Sequence, residues 1–248
     1  MKLQSFRIML LILMGVLLLS ASSVYAETAE EYYKSGNVYA NEGNFAKAIS
    51  EYTKSIEIDP SYKESYYSRG GAYRMQGNLA QAITDFTKTI EIDPNYAGAY
   101  YNRGIAYDGQ GDFTQAISDC TKAIEINPND AEAYNSRGTV YINQGDYAKA
   151  ISDLNKAIEI NPIYTDAYCN RGIAYTGQED FAQAIFDLNK AIEIKPSYAG
   201  GYYNRAVVYF GQKDFAKAWE DVHKAEELGH HSNPAFLDDL KKASGRDR

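Results

Sequence analysis

The sequence predicts an all-α repeat protein built from six copies of one helix pair. The same pattern of residues recurs every 34 positions, and five of the six prolines stand on that interval without an insertion. These prolines are Pro60, Pro94, Pro128, Pro162 and Pro196. A fixed interval of this length is typical of one supersecondary unit that is stacked several times.

Each copy contains two helical patterns separated by a turn. In the copy that covers 97–130, small and apolar residues recur at helical spacing on both sides of Gly111. Asp112 is the predicted N-cap of the second helix. Pro128 ends it, because proline lacks an amide hydrogen and disfavours helical geometry in the residue before it. The predicted repeats are 29–62, 63–96, 97–130, 131–164, 165–198 and 199–232.

Small residues recur at one position of each first helix, and alanine recurs at one position of each second helix. The first set is Gly36, Gly70, Gly104, Gly138, Gly172 and Ala206, and the second is Ala48, Ala82, Ala116, Ala150, Ala184 and Ala218. Glycine within a helix costs up to about 1 kcal/mol relative to alanine. We therefore expect a compensating close approach of the two helix backbones.

Charged residues also recur at the repeat interval. Arginine stands on the first helix and aspartate on the second helix of repeats two to six: Arg69, Arg103, Arg137, Arg171 and Arg205 with Asp85, Asp119, Asp153, Asp187 and Asp221. Five recurrences indicate structural ion pairs rather than five catalytic sites.

The Tyr, Gly, Tyr, Gly, Phe, Ala, Ala, Pro spacing resembles the tetratricopeptide repeat, from Ala29 to about Leu228. The resemblance implies a right-handed superhelical solenoid of six helix-turn-helix repeats. In repeats five and six, Glu179 and Lys213 replace the turn glycine of the pattern. A C-terminal capping helix is predicted at 233–244.

The capping helix is predicted from its own residues. Ser232 or Asn233 can cap it, and Pro234 suits its first turn. Phe236, Leu240 and Ala243 are expected on its apolar face, which would cover the end of repeat six. The last residues, 245–248, are expected to be disordered.

The resemblance also implies a concave groove, lined by the first helices, that binds an extended peptide or a partner's helix. The candidate groove residues are Tyr33, Asn37, Tyr67, Tyr101, Asn102, Ile105, Asn135, Asn170, Ile173, Tyr203 and Asn204. Asparagine both donates and accepts hydrogen bonds, and tyrosine buries apolar groups, so the set suits a peptide ligand. The alternative is that these residues only solvate the groove.

Some family members bind a C-terminal carboxylate through basic and asparagine side chains on three successive first helices. Asn37 and Asn102 match that pattern, but Tyr33, Gly98 and Ser68 stand where basic residues would be needed. A carboxylate clamp of this type is therefore not expected, and the groove is predicted to be neutral and aromatic.

No sequence motif indicates an enzyme. The chain has no phosphate-binding glycine loop, no nucleophile elbow and no Cys-x-x-Cys pair. The histidines at 223, 230 and 231, with Glu227 nearby, lack the usual spacing of a metal site. Neither a cofactor nor a metal is expected.

Cys120 and Cys169 lie two repeats apart, so no disulfide between them is expected. A dimer through Cys169 remains the alternative.

The N-terminus has the layout of a secretory signal. Lys2 and Arg7 precede an apolar stretch, 8–19, and a small polar stretch that ends at Ala26. The sequence predicts a signal peptide at 1–26, cleavage near Ala26, and a periplasmic or secreted protein. The alternative is an uncleaved membrane anchor formed by residues 8–25.

Charge limits the partners. The net charge of −8 argues against nucleic acid and anionic membrane surfaces, so a protein or peptide partner and a monomer are expected. The preferred function is a non-enzymatic scaffold or adaptor in an envelope or secretion-related assembly. The alternative is a self-associating structural module that uses the end faces of the solenoid.

Overall fold

The computed structural model describes residues 28–245. These residues form thirteen α-helices and no strand. The predicted signal peptide, its alternative as an anchor, and residues 246–248 of the predicted tail lie outside the described residues. The helices are α1 Ala29–Asn41, α2 Phe45–Ile58, α3 Lys63–Met75, α4 Leu79–Ile92, α5 Ala97–Gly109, α6 Phe113–Ile126, α7 Ala131–Gln144, α8 Tyr147–Ile160, α9 Thr165–Gly177, α10 Phe181–Ile194, α11 Ala199–Gly211, α12 Phe215–Glu227 and α13 Pro234–Ser244.

The first twelve helices form six pairs that stack into the predicted right-handed superhelical solenoid. Each second helix packs on its own first helix and on the first helix of the next repeat. Consecutive first helices also contact each other, whereas consecutive second helices in residues 28–245 share no comparable set of contacts. In a curved stack the helices on the inner side are the closer neighbours, so the first helices line the concave surface.

The helices begin and end at the capping residues and prolines from which their ends were predicted. Asp112 caps α6 and accepts a hydrogen bond from the amide of Gln115 at 3.1 Å. The helix α2 ends at Ile58, and Asp59, the residue before Pro60, is extended with φ −130° and ψ 96°. Proline disfavours helical geometry in the residue before it. Each proline that recurs at the 34-residue interval therefore determines where a second helix ends.

The turn between the two helices of a repeat requires a left-handed residue. Glycine supplies it in the first four repeats, as Gly111 does with φ 78°. Glu179 and Lys213 occupy the same position with φ 61° and 64°. A side chain in this region costs about 1–2 kcal/mol, so the turns of repeats five and six are strained.

The recurring glycines of the first helices accommodate both a large side chain and the close backbone of the second helix. A Cβ at Gly36 would lie 2.5 Å from the Tyr52 ring, and one at Gly172 would lie 2.8 Å from Cγ of Leu188. The predicted close approach of the two helix backbones is confirmed in the middle repeats, where a Cβ at Gly104, Gly138 or Gly172 would lie 3.2–3.4 Å from the backbone oxygen of the recurring alanine on the second helix. The large side chain of the second helix that lies against each glycine was not predicted. In repeat six, Ala206 replaces glycine and the smaller Val222 stands in that slot, and both are fully buried.

The predicted Arg–Asp pairs are confirmed in all five repeats. In repeat three, Nε and Nη2 of Arg103 donate to the two carboxylate oxygens of Asp119 at 2.7 and 2.8 Å. Nη1 donates to Oγ1 of Thr87 on the second helix of the preceding repeat at 2.9 Å. The guanidinium lies over the Tyr100 ring, 5.6 Å from its centroid. Each arginine therefore joins three helices and two repeats.

The residue of the preceding repeat that accepts from Nη1 of each arginine also recurs at the repeat interval. The five acceptors are Thr53, Thr87, Thr121, Asn155 and Asn189. The hydrogen bond and charge of Asp119 outweigh burial and raise the pKa of Arg103. The arginine therefore stays charged inside the stack.

The last helix covers the end of repeat six. Asn233 caps α13 by accepting a hydrogen bond from the amide of Ala235 at 2.9 Å. Leu240 is fully buried against Trp219, whose Nε1 donates to Oγ of Ser244 at 3.1 Å. Ala243 is exposed, so its predicted place on the buried face is wrong. Ser244, four residues after Leu240, lies on the buried side of the helix instead.

Both cysteines are free and buried. Cys120 lies on α6 and Cys169 on α9, and burial raises the pKa of both thiols, to about 12 for Cys120. Cys169 is 2% exposed, so the alternative of a dimer linked through its thiol is wrong for this conformation.

Candidate peptide-binding groove

The candidate groove is the concave surface of the six first helices. All eleven predicted groove residues lie on these helices and all are half-buried. Half-burial leaves one side of each residue available to a ligand while the other side packs on the scaffold. Whether they bind a peptide stays a prediction.

Two groove tyrosines, Tyr33 and Tyr67, pack against tyrosines in the loops that end their repeats. The ring of Tyr33 meets that of Tyr62 edge-on at 5.4 Å, and the ring of Tyr67 lies 4.9 Å from that of Tyr96. Burial is the main cause that raises the pKa of Tyr67, and it raises that of Tyr96 to about 12. The hydroxyl groups are therefore neutral at physiological pH and can both donate and accept.

These loop tyrosines are groove residues that the sequence reasoning missed. They stand two positions after a ladder proline, at 62, 96, 164 and 198, and the same 34-residue interval could have revealed them. After α12, His230 stands at the interval position that the prolines occupy in the other repeats, and its ring lies 4.4 Å from that of Tyr203. Tyr203 also meets Phe236 of α13, so the capping helix closes this end of the groove.

Asn102 and Asn170 of the groove form hydrogen bonds with side chains of the preceding repeat. Nδ2 of Asn102 donates to the Tyr67 hydroxyl and to the Gly98 carbonyl, both at 2.9 Å. Nδ2 of Asn170 donates to Oδ1 of Asn135 at 3.0 Å and to Thr139.

Asn37 and Asn204 are engaged as well. Nδ2 of Asn204 donates to Sγ of Cys169 at 3.1 Å. Asn37 accepts from the Tyr52 hydroxyl at 2.7 Å. The amide donors of Asn102 and Asn170 are therefore used within the scaffold, and their side-chain carbonyl oxygens are what they offer to a ligand.

Two recesses lie between neighbouring first helices. The recess at Ile105, between α5 and α7, has a volume of about 210 Å³ and is also lined by Asp108, Ser136 and Thr139. The recess at Ile173, between α9 and α11, has a volume of about 270 Å³ and is also lined by Ile142, Tyr147, Asn204 and Val207. Both are smaller than the roughly 300–1,000 Å³ of small-molecule sites. Each suits a single side chain of a longer ligand.

Comparison with known sequences identifies the family. A tetratricopeptide repeat model matches residues 97–130, 131–164 and 165–198, and a second TPR repeat model matches 36–77 and 70–111. The chain belongs to the tetratricopeptide repeat family. No curated protein matches it significantly.

Solved structures of tetratricopeptide repeat proteins resemble the chain. The MamA protein is 32% identical, with a TM-score of 0.61 over 70% of this chain and 94% of MamA. YrrB, described as a TPR protein with an unusual peptide-binding site, is 26% identical, with a TM-score of 0.57 over 70% of this chain and 89% of YrrB. A tetratricopeptide repeat protein from Parabacteroides merdae is 22% identical, with a TM-score of 0.75 over 88% of this chain and 87% of its own.

Residues 28–245 lack two kinds of feature. No group of three or more histidine, cysteine, aspartate or glutamate side chains is arranged to hold a metal ion there. Within the same residues, no helix has the length and apolarity needed to cross a bilayer.

Proposed function

We propose that this tetratricopeptide repeat protein is a non-enzymatic adaptor that binds an extended peptide segment or a partner's helix in the groove. The observation that carries the proposal is the continuity of the concave surface. Half-buried tyrosine and asparagine side chains recur along consecutive first helices, and side-chain-sized recesses lie between them. A repeated array of this kind matches the repeated side chains of an extended ligand.

The peptide-binding site described for YrrB supports this proposal, because YrrB shares the repeat architecture at 26% identity. The packing of α13 against α12 bears on the alternative of self-association. Leu240 and Trp219 are buried in that contact, so the C-terminal end face is covered. Association through that face would require α13 to leave it.

Site-specific photo-crosslinking tests the proposal. A photoreactive phenylalanine analogue replaces Tyr101 in the groove, and the same analogue replaces Ser118, which is exposed on the second helix α6. We expect a discrete crosslinked partner from position 101 and none from position 118. Equal crosslinking from both positions, or crosslinking from 118 alone, would contradict the groove as the binding surface.

We also propose that the protein works outside the cytoplasm, in an envelope or secretion-related assembly. The support is the sequence layout of residues 1–26, with a basic start, an apolar stretch and a small-residue end at Ala26. Fractionation followed by mass determination of the intact protein tests it. We expect a species that begins at Glu27 outside the cytoplasm, and a full-length species in the membrane fraction would favour the anchor instead.

A further inference from the structure

Arg74 on α3 is the one arginine in residues 28–245 whose side chain has no partner there. The other five each donate to both carboxylate oxygens of an aspartate, as Arg103 does. The side chain of Arg74 forms neither an ion pair nor a hydrogen bond with the rest of the described chain, and its Nε is buried without an acceptor. A buried donor of a charged group that lacks an acceptor is costly, so an acceptor supplied by a ligand would be favourable here.

Arg74 faces the groove. It stands seven residues after the groove tyrosine Tyr67 and three after Gly71, so the three residues share one face of α3. A Cβ at Gly71 would have no atom within 4 Å beyond its chain neighbours and the backbone of its own helix, so the groove floor is open at this point. Long side chains on a helix lean toward its N-terminus, and Arg74 therefore leans toward the open floor.

Two further donors lie beside this open floor. Asn37 holds on α1 the position that Gly71 holds on α3. Its Oδ1 accepts from the Tyr52 hydroxyl at 2.7 Å, and its Nδ2 has no acceptor among the described residues. The Tyr67 hydroxyl accepts from Nδ2 of Asn102 at 2.9 Å, which leaves its own proton free to donate. These two donors and the guanidinium therefore face the same part of the groove.

The nearby charges leave the guanidinium available. Asp108 holds on α5 the position that Arg74 holds on α3, but its carboxylate oxygens accept from Nδ2 of Asn143 at 3.1 and 3.3 Å. Burial raises the pKa of Tyr67 and of Tyr101, and the positive charge of Arg74 acts against that rise. The charge of Arg74 therefore acts on groove tyrosines of two successive first helices.

We propose that Arg74 receives the carboxylate of an aspartate or glutamate side chain when an extended peptide lies in the groove, with Asn37 as a neighbouring donor. A guanidinium binds a carboxylate through two parallel hydrogen bonds, and the open floor at Gly71 leaves room for the ligand side chain. The inference rests on the proposed function and names the chemistry of one ligand residue.

The position of Arg74 differs from that of a carboxylate clamp for a chain end. Tyr33, Ser68 and Gly98 stand where such a clamp needs basic residues, whereas Arg74 lies in the last turn of α3. First helices continue the groove on both sides of α3, with α1 on one side and α5 on the other. A ligand that passes over Arg74 therefore extends beyond it in both directions, and a side chain is the source of the carboxylate that suits this place.

Four synthetic twelve-residue peptides of proline and alanine test the inference, each with one residue type at every third position. Three have an amidated C-terminus and carry glutamate, glutamine or lysine; the fourth carries glutamine and has a free C-terminal carboxylate. In a polyproline II helix every third side chain projects on the same side, so the variable residue is presented to the groove. Fluorescence anisotropy at low ionic strength measures binding to the purified full chain.

We expect the glutamate peptide to bind at least about fivefold more tightly than the amidated glutamine peptide, and its binding to weaken in high salt. The free C-terminus of the fourth peptide should change the affinity by less than about twofold. The net charge of −8 favours the lysine peptide wherever binding is nonspecific. A preference for glutamate therefore reports a local cation.

Variants of equal charge change assign the effect to Arg74. Arg74→Gln should lower the affinity for the glutamate peptide about fivefold. Arg74→Lys keeps the charge without the planar fork, so its affinity should fall between that of Arg74→Gln and that of wild type. Lys88→Gln is the control in the same repeat, because it removes one positive charge from the outer helix α4, where Lys88 pairs with Glu91 at 3.0 Å. It should leave the affinity within about twofold.

Far-UV circular dichroism shows whether each variant folds, and the preference of the wild-type protein tests the inference even if Arg74→Gln does not fold. Equal affinity for the glutamate and amidated glutamine peptides, including no measurable binding of either, would overturn the inference. So would tightest binding of the lysine peptide, a gain confined to the free C-terminus, or equal loss in Arg74→Gln and Lys88→Gln. The proposed function would survive these results if position 101 still crosslinked a partner. It would fail separately if position 101 did not.

Discussion

The arginine ladder should dominate the stability of the central repeats, and Arg103→Met is the variant that shows it. The change keeps a long apolar stem over Tyr100 and removes the charge that faces Asp119. The Asp119 residue is 4% exposed, so its carboxylate would stay buried without its partner. Breaking a buried pair on one side costs about 3–5 kcal/mol. The lost hydrogen bond to Thr87 adds about 1 kcal/mol.

A second variant separates the pair from its packing. In Arg103→Met/Asp119→Leu both charges are absent, so no carboxylate is left buried, and the free energy of unfolding should return to within about 2 kcal/mol of wild type. Lys122→Met is the matched control on α6, because it removes an exposed pair with Glu125 whose side chains are 47% and 60% exposed. It should cost less than about 1 kcal/mol.

Urea unfolding of the full chain, followed by far-UV circular dichroism, measures these differences. Hydrogen exchange should show that the loss of protection in the Arg103→Met variant is centred on α4, α5 and α6, the three helices that the arginine joins. Two results would refute the reasoning. The Arg103→Met variant could have a free energy of unfolding within about 1 kcal/mol of wild type, or the Arg103→Met/Asp119→Leu variant could be as unstable as Arg103→Met.

Three other substitutions test the packing and the turns. Gly172→Ala should cost about 1–3 kcal/mol in thermal unfolding, because the new Cβ would meet Leu188, and Leu188→Val in the same chain should recover part of the loss; additive costs would contradict the contact. Glu179→Gly should stabilise the protein by about 0.5–1 kcal/mol by relieving its positive φ, and a destabilised variant would show that the turn is not strained. Leu240→Ala should cost about 2–5 kcal/mol and shift the emission of Trp219 to longer wavelength; an unchanged spectrum would contradict the packing of α13 on α12.

The helix boundaries could be predicted because single residues determine them. A proline excludes helical geometry from its neighbour wherever it stands, and Asp112 caps α6 through a contact only three residues away. The Arg–Asp pairs could be predicted for a related reason, since both partners recur at one interval. The structure confirms these local and periodic features.

Contacts between repeats were harder to predict. The arginine also binds Thr87 or its equivalents, but threonine gives way to asparagine along that ladder, so no constant residue type marked it. The side chain that lies against each recurring glycine was not predicted, because its position holds tyrosine, phenylalanine, cysteine or leucine. Ala243 was misplaced because the direction in which α13 crosses α12 depends on tertiary packing.

For the candidate groove, too, the positions on each helix could be predicted from the sequence and the contacts between repeats could not. The sequence predicted which residues share the inner face, and the structure places all eleven of them on the first helices. It did not predict that Asn102 donates to Tyr67 in the preceding repeat, because that contact depends on how two repeats stack.

Hydrogen exchange of the protein with its crosslinked partner, compared with the free protein, tests most directly that the inner helices form the binding surface. We predict that partner binding protects backbone amides of α5, α7 and α9, while exchange in the outer helices α6, α8 and α10 changes little. Protection confined to the outer helices or to α13 would contradict the account.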